Sequence, residues 1–273
     1  MAKHKGLLDF ISKLNPQKNS FSLSEVALAK EIQTHLFPKN FPFKEKLDIG
    51  IVYQPAEHLG GDFYDVIKID DRKAAFLIGD ISGHSIAAAL FMTQCLTLLK
   101  TLIKMDLSLL KIATTANQFL FEGAKSNMFA TVFIGIFDSF YNQLSYVNAG
   151  HPPPFLIRSA WGRSVGGIVP ISNLTAEGMA LNCVKKLVLE EKKLQLVTHD
   201  ILFLYTDGLI EFLDQNNHPI GESTLKHLLN EWKELEASEI AKKLVSYLQN
   251  NTQKNEQTQD DTTALIIKFK EQL

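Results

Sequence analysis

Two apolar runs on either side of a four-residue polar break constrain this chain most. Phe63 to Ile69 and Ala74 to Ile81 are separated by Asp70-Asp71-Arg72-Lys73, the pattern of two strands joined by a turn. Folding the pair about that turn makes facing residue numbers sum to about 143, which sets Asp62 opposite or diagonal to Asp80 at the open end. Facing side chains of an antiparallel pair sit roughly 4.5–5.5 Å apart at Cβ. Two carboxylates that close repel, so such a site must protonate one, hydrate both, or hold a cation between them. A divalent metal is the preferred reading.

The 273 residues, 45% of them hydrophobic, suffice for one domain with a sizeable core and an appendage. The boundaries expected are 1–42 for a lead-in and linker helix and 43–273 for the main domain. A net charge of −2 argues against a nucleic-acid partner. Cys95 and Cys183 are widely spaced in apolar surroundings, which gives neither a disulfide framework nor a zinc motif and suits a reducing, cytoplasmic setting. No uninterrupted apolar run of membrane-spanning length is present, so no transmembrane segment is expected. The start is basic then apolar, but Asp9 and Lys13 interrupt it, and an amphipathic turn or peripheral tether is favoured over a signal peptide.

Ser22 and Glu25 form a capping box, with Phe21 and Val26 as hydrophobic staple, for a helix running to about Phe37 before Pro38. Leu28, Ile32 and Leu36 fall on one stripe of it, suited to packing on its own domain or to a dimerising or signal-receiving surface. Leu47–Gln54 reads as a strand. His84 to Met105 reads as a helix apolar almost all round, with Ala87, Leu90 and Cys95 among its apolar positions. A second helix follows at 107–123. Met128–Phe137 with Gln143–Val147 reads as a further hairpin. Strands are expected at Phe155–Arg158, Val184–Leu189, Ile201–Thr206 and Thr263–Phe269, and helices at Glu222–Trp232 and Ser238–Gln249. Hairpins outnumber βαβ crossovers, which argues α+β with antiparallel sheet.

Two more acidic sites stand at strand ends. Asp207 follows the apolar run ending at Thr206, and Asp260-Asp261 precedes the last strand. If those two strands pair antiparallel, Asp207 and Asp260 converge at one edge, as Asp62 and Asp80 do. Four carboxylates without a His/Cys cluster form an all-oxygen set suited to Mg²⁺ or Mn²⁺. The competing reading is that strand-terminal aspartates are simply turn formers. His151, between Gly150 and three prolines, reads as a structural hydrogen-bonding residue. Arg158 and Arg163 are the nearest candidates for a phosphate clamp.

The strings GGDFYD, GDISGH followed by AAAL, NAGHPPP, LFLYTDGLIE and DDTT resemble, in order and spacing, the motifs of metal-dependent protein phosphatases of the bacterial SpoIIE/RsbU-type branch. The resemblance covers about residues 45–270, and residues 28–38 look like the linker helix that precedes such domains. It implies a protein phosphatase 2C-like sandwich of two antiparallel sheets flanked by helix layers. It carries over Asp62, Asp80 and the backbone carbonyl of Ile81 as metal ligands, Asp80 bridging two Mn²⁺ or Mg²⁺ ions. Asp207 and Asp260 would ligate the other ion, with Asp261 behind them. Asp65 is assigned a supporting place, because strand alternation from Asp62 turns it to the opposite face.

In such sites two ions roughly 3.5–4 Å apart activate the water that attacks phosphorus. His84 could protonate the departing alkoxide, or could simply cap the helix it opens. The implied activity is hydrolysis of phosphoserine or phosphothreonine, and the implied substrate is a phosphorylated anti-anti-sigma (STAS-domain) protein in partner-switching regulation. The rival is a non-catalytic module of the same fold that docks a regulator. Two departures from the family pattern stand out: Ser85 replaces a glycine, and residues 159–182 lack the usual Pro-Leu-Gly element.

Overall fold

The computed structural model describes residues 23–83, 85–105, 107–123, 128–158, 170–251 and 260–270. The elements run α1 (Leu23–Thr34), β1 (Leu47–Gln54), β2 (Phe63–Lys68), β3 (Lys73–Ile81), α2 (Ile86–Ile103), α3 (Leu109–Gly123), β4 (Ala130–Asp138), β5 (Gln143–Ala149), β6 (Phe155–Ile157), β7 (Ile171–Asn173), β8 (Glu191–Gln195), β9 (Ile201–Tyr205), α4 (Asp207–Glu211), α5 (Gly221–Trp232), α6 (Ala237–Asn251) and β10 (Thr262–Phe269). They form two antiparallel five-stranded sheets, ordered β1-β10-β9-β6-β7 and β2-β3-β4-β5-β8. The expected α+β sandwich is the observed architecture.

Period-2 alternation explains the layering. In β9, Leu202 and Leu204 turn inward to the larger core shared with the second sheet, as do Leu265 and Ile267 of β10. The alternate residues Ile201, Phe203, Tyr205, Ala264 and Ile266 turn outward and are covered by α5 and α6 through Leu225, Leu229, Ile240 and Leu244. On the far side α2 and α3 cover the second sheet with Met92, Leu96, Leu99, Ile112 and Leu120. Every residue of β10 is buried, the pattern of a central strand covered on both faces. Each large apolar side chain so enclosed contributes about 1.5–3 kcal/mol.

The structure departs from several expectations. No strand forms over Val184–Leu189. Glu191–Gln195 pairs with β5 instead as an edge strand, where its lysines and glutamate discourage further pairing. The three-residue strand β7 and the short helix α4 carry too little pattern to be expected. Helix α2 does not bury its whole circumference: Ala87 and Leu90 of its first turns are exposed. By length and composition α2 could cross a membrane, but half of it is buried within the domain. Cys95 is buried as expected, whereas Cys183 is exposed. Leu28 and Ile32 face solvent, and the side of α1 that meets the domain carries Gln33, followed by Phe37. The capping box at Ser22, the staple at Phe21, and His84 lie outside the described residues.

The first sheet and α6 meet closely at Gly50. A Cβ there would collide with the Ala237 carbonyl oxygen, while Asp48 Oδ2 accepts the Ala237 N–H at 2.5 Å and caps the helix. Gly50→Ala should therefore push α6 outward and lower the unfolding free energy by about 1–3 kcal/mol in a denaturant titration.

Candidate metal centre

The first hairpin builds one half of the centre. Strands β2 and β3 pair with Phe63 opposite Gly79, and one further step in that register sets Asp62 opposite Asp80. The observed index sum is therefore one less than the sequence estimate, and it makes the two aspartates directly facing. On its other edge Asp80 faces Thr131 of β4. Gly61 passes close to Ile81, since a Cβ on Gly61 would lie 3.2 Å from the Ile81 carbonyl oxygen.

The other half comes from the first sheet. Strands β9 and β10 pair antiparallel with Tyr205 opposite Ala264, and the Thr206 N–H extends the pairing to the Thr263 carbonyl at 3.0 Å. That brings the two segments carrying Asp207 and Asp260-Asp261 side by side. Gly208 makes the approach possible, because a Cβ there would collide with the Asp261 carbonyl oxygen and lie 3.3 Å from Asp260 Cβ.

Asp62 joins the halves. Its carboxylate is buried, 1% exposed, and Oδ2 accepts hydrogen bonds from the hydroxyls of Thr206 at 2.7 Å and Thr263 at 2.6 Å. The Thr263 N–H donates in turn to Thr206 Oγ1 at 3.0 Å, which fixes that hydroxyl as a donor toward Asp62. Asp261 braces the adjoining loop by accepting the backbone N–H groups of Ala56 (2.7 Å), Gly61 (2.5 Å) and Asp62 (3.3 Å). Burial, then the charge of Asp80, pushes Asp62 well above the ordinary carboxylate range, against the pull of the threonine hydroxyls. Asp80 rises to about 8, first by burial, then by Asp207, Asp260 and Asp261, with a hydrogen bond to Asp62 opposing. Burial and then Glu211 raise Asp207. Burial raises Asp261, partly offset by the backbone donors it holds.

Asp62, Asp80, Asp207, Asp260 and Asp261 thus feel one another electrostatically. Among the described residues, however, no three acidic, His or Cys side chains already converge into a coordination shell. The donors fit a hard divalent cation in chemistry: carboxylates with a backbone carbonyl nearby, crowded enough to favour a shared positive charge.

Asp65 is elsewhere. It lies on the helix-facing side of β2, 2.6 Å from Lys100 Nζ of α2 and 3% exposed, an ion pair that occupies it away from the carboxylate group. His151 is buried, with Nδ1 3.0 Å from Thr131 Oγ1 and its backbone locked to the Asn148 side chain by bonds of 2.7 and 2.9 Å. Burial lowers its pKa to about 3, so it stays neutral. Arg158 pairs with buried Asp200 at 3.6 Å, which removes it as a free phosphate clamp; Arg163 lies outside the described residues. Ser85, standing where a glycine was expected, caps α2 by accepting the Ala88 N–H at 3.4 Å.

Sequence reasoning singled out neither Thr206 nor Thr263. Their position in the quoted strings, Thr206 next to Asp207 and Thr263 two residues after Asp261, was a usable signal. The role of their hydroxyls depends on a pairing between sheets.

The raised carboxylates have a stability consequence. A raised folded-state pKa means protonation favours the fold, so this contribution shrinks as pH rises through about 8. His151 acts oppositely, its contribution being lost below its ordinary value of 6.5. Lowering pH from about 8 toward 6.5 should raise the melting temperature of metal-free protein, and saturating Mn²⁺ should flatten that dependence. Scanning calorimetry with and without chelator checks both slopes.

The comparisons with known proteins agree with this fold. Phosphoserine phosphatase RsbU of Bacillus subtilis (strain 168) is 25% identical over 247 residues, 90% of this chain and 70% of that protein. Phosphoserine phosphatase RsbP of the same organism is 24% identical over 246 residues, 89% of this chain and 57% of that protein. Among solved structures, the SiaA-PP2C domain of Pseudomonas aeruginosa aligns with TM-score 0.76 at 16% identity, covering 99% of this chain and all of that one. The PP2C phosphatase domain of SpoIIE from Bacillus subtilis, with a fragment of its regulatory domain, aligns with TM-score 0.69 at 19% identity, covering 83% of this chain and 64% of that one. The family model for stage II sporulation protein E (SpoIIE) matches residues 70–270, and the chain therefore belongs to the SpoIIE family, with a protein phosphatase 2C-like fold.

Proposed function

We propose that the protein hydrolyses phosphoserine or phosphothreonine on a protein substrate with the help of two divalent cations, Mn²⁺ or Mg²⁺. The observation that carries this reading is the meeting at one rim of buried Asp62, held by the Thr206 and Thr263 hydroxyls, with the segments that carry Asp80, Asp207, Asp260 and Asp261. Asp62, Asp80, the Ile81 carbonyl, Asp207 and Asp260 would hold the ions. Bound there, the cations would acidify water and neutralise charge on the phosphoryl oxygens. The protein's own residues do the rest. Thr206 and Thr263 hold the Asp62 carboxylate in one orientation, and Asp261 keeps the Ala56–Asp62 loop in place. Neutral His151 steadies Thr131, the strand partner of Asp80, and His84 is proposed as proton donor to the leaving alkoxide.

The substrate class proposed is a phosphorylated anti-anti-sigma (STAS-type) protein in a cytoplasmic partner-switching pathway. The relatives named phosphoserine phosphatases support phosphoserine as the group removed. The phosphatase unit is proposed to span residues 43–273, preceded by a linker through which a regulator or a second copy could act.

Phosphate release from a phosphoserine peptide should require Mn²⁺ or Mg²⁺ and should vanish in Asp80→Asn. No metal-dependent turnover by the unaltered protein would reject the reading in favour of a docking module. Thr263→Val keeps the side-chain volume but removes a hydroxyl from Asp62. It should lower Mn²⁺ affinity roughly 10–100-fold, measured as the metal concentration giving half-maximal rate.

A further inference from the structure

Three uncharged segments meet beside the carboxylate rim. No Asp, Glu, Lys or Arg occurs from Ile81 to Leu99, from Met128 to Phe137 or from Gly178 to Val184, in a chain of which 21% is charged. Hydrogen bonds join the three. The Ser82 N–H donates to the Phe129 carbonyl at 2.9 Å, and Ser82 Oγ accepts the Phe129 N–H at 3.0 Å. Ala130 and Leu181 exchange backbone bonds of 3.0 and 2.8 Å, and Asn182 Nδ2 donates to the Met128 carbonyl at 2.7 Å. Ser82 directly follows Asp80-Ile81, and Thr131, next to Ala130, is the strand partner of Asp80. The joined segments therefore border the candidate metal centre.

These segments leave large apolar side chains in water. Leu90 is 68% exposed, and Ile86, Phe129 and Met179 are exposed with it. Ile86 opens α2 behind the Ser85 cap, and Leu90 stands one turn further on the same face. Gln94 and Thr97 continue that exposed side without a charge. Apolar residues scattered singly over a surface are ordinary. A group of them on segments bonded to one another, with no charge among them, marks a contact surface.

What this surface takes follows from what it adjoins. Cations held by carboxylates grip the phosphoryl group, which is the same on every phosphoserine, so discrimination between phosphoproteins must come from residues around them. An uncharged apolar border favours apolar side chains next to the phosphoserine. Charged neighbours would lose water there without gaining a partner. We infer that Ile86, Leu90, Phe129 and Met179 form a docking surface for the phosphoprotein substrate, one that selects phosphoserine flanked by large aliphatic or aromatic residues. This rests on the preceding reading of the carboxylate rim as the catalytic site.

The test uses the full chain with Mn²⁺ and two synthetic phosphoserine peptides, one with Leu and Phe flanking the phosphoserine and one with Gly and Ser. The apolar-flanked peptide should be hydrolysed with roughly 10-fold higher kcat/KM. Leu90→Gln keeps helix propensity and alters an exposed position. It should raise KM for the apolar-flanked peptide roughly 10-fold, with kcat held within about twofold. Phe140→Ser, an exposed apolar position on the turn between β4 and β5, away from the rim, is the control and should leave both peptides unaltered. Equal kcat/KM for the two peptides, or a preference that survives in both Leu90→Gln and Ile86→Gln, would overturn the docking surface and leave the proposed phosphatase site standing. So would a dimer in sedimentation that Leu90→Gln dissociates while the peptide preference persists, which would give this face to a second copy. No Mn²⁺-dependent phosphate release from either peptide, with Asp80→Asn as blank, would overturn both readings.

Discussion

A carboxylate buried between two sheets is the interaction on which this structure turns. Asp62 emerges from the second sheet and takes its hydrogen bonds from Thr206 and Thr263 of the first. Apolar packing holds the sheets together along their length but is non-directional and tolerates sliding. Hydrogen bonds to an ionisable oxygen do not, because their strength falls steeply with angle and distance. The two hydroxyls therefore set the relative position of the sheets at the rim where the chemistry is proposed.

The same arrangement is electrostatically unfavourable by itself. Asp62 and Asp80 face each other in a setting where their nearest partners are neutral hydroxyls, backbone amides and further carboxylates. Burial removes the water that would screen them, and repulsion within a domain is stronger than at its surface. Such a cluster is expensive to keep unless a positive charge shares it, which is why a structural role alone explains it poorly. Asp65 is the contrasting case: a buried carboxylate on the opposite face of the same strand, given Lys100 as a counter-charge.

Much of this was legible in the primary structure because it is local. The turn at Asp70–Lys73 sets the register of β2 and β3, and register alone decides that Asp62 meets Asp80. The apolar run ending at Tyr205 announces a central strand, and β9 is the third of five. Local pattern misled where the deciding contacts were distant. Val184–Leu189 is apolar enough for a strand, yet the pairing edge of β5 is taken by the more polar Glu191–Gln195. Periodicity left the Leu28–Ile32 stripe free to face the domain or an outside partner, and only the Gln33, Phe37 and Lys100 contacts orient α1 so that the stripe faces solvent.

Residue order by itself determined the hairpins, the helices with one apolar face and the acidic residues at four strand ends, since each follows from side chains close in the chain. Tertiary structure alone decided that Thr206 and Thr263 serve Asp62, that Asp261 holds the amides of Gly61 and Asp62, and that Gln33 grips Gly60. Those contacts bridge 27 to 201 positions of chain. Hydrogen bonds act over about 3 Å, so such pairs acquire meaning only once the packed sheets have brought them together.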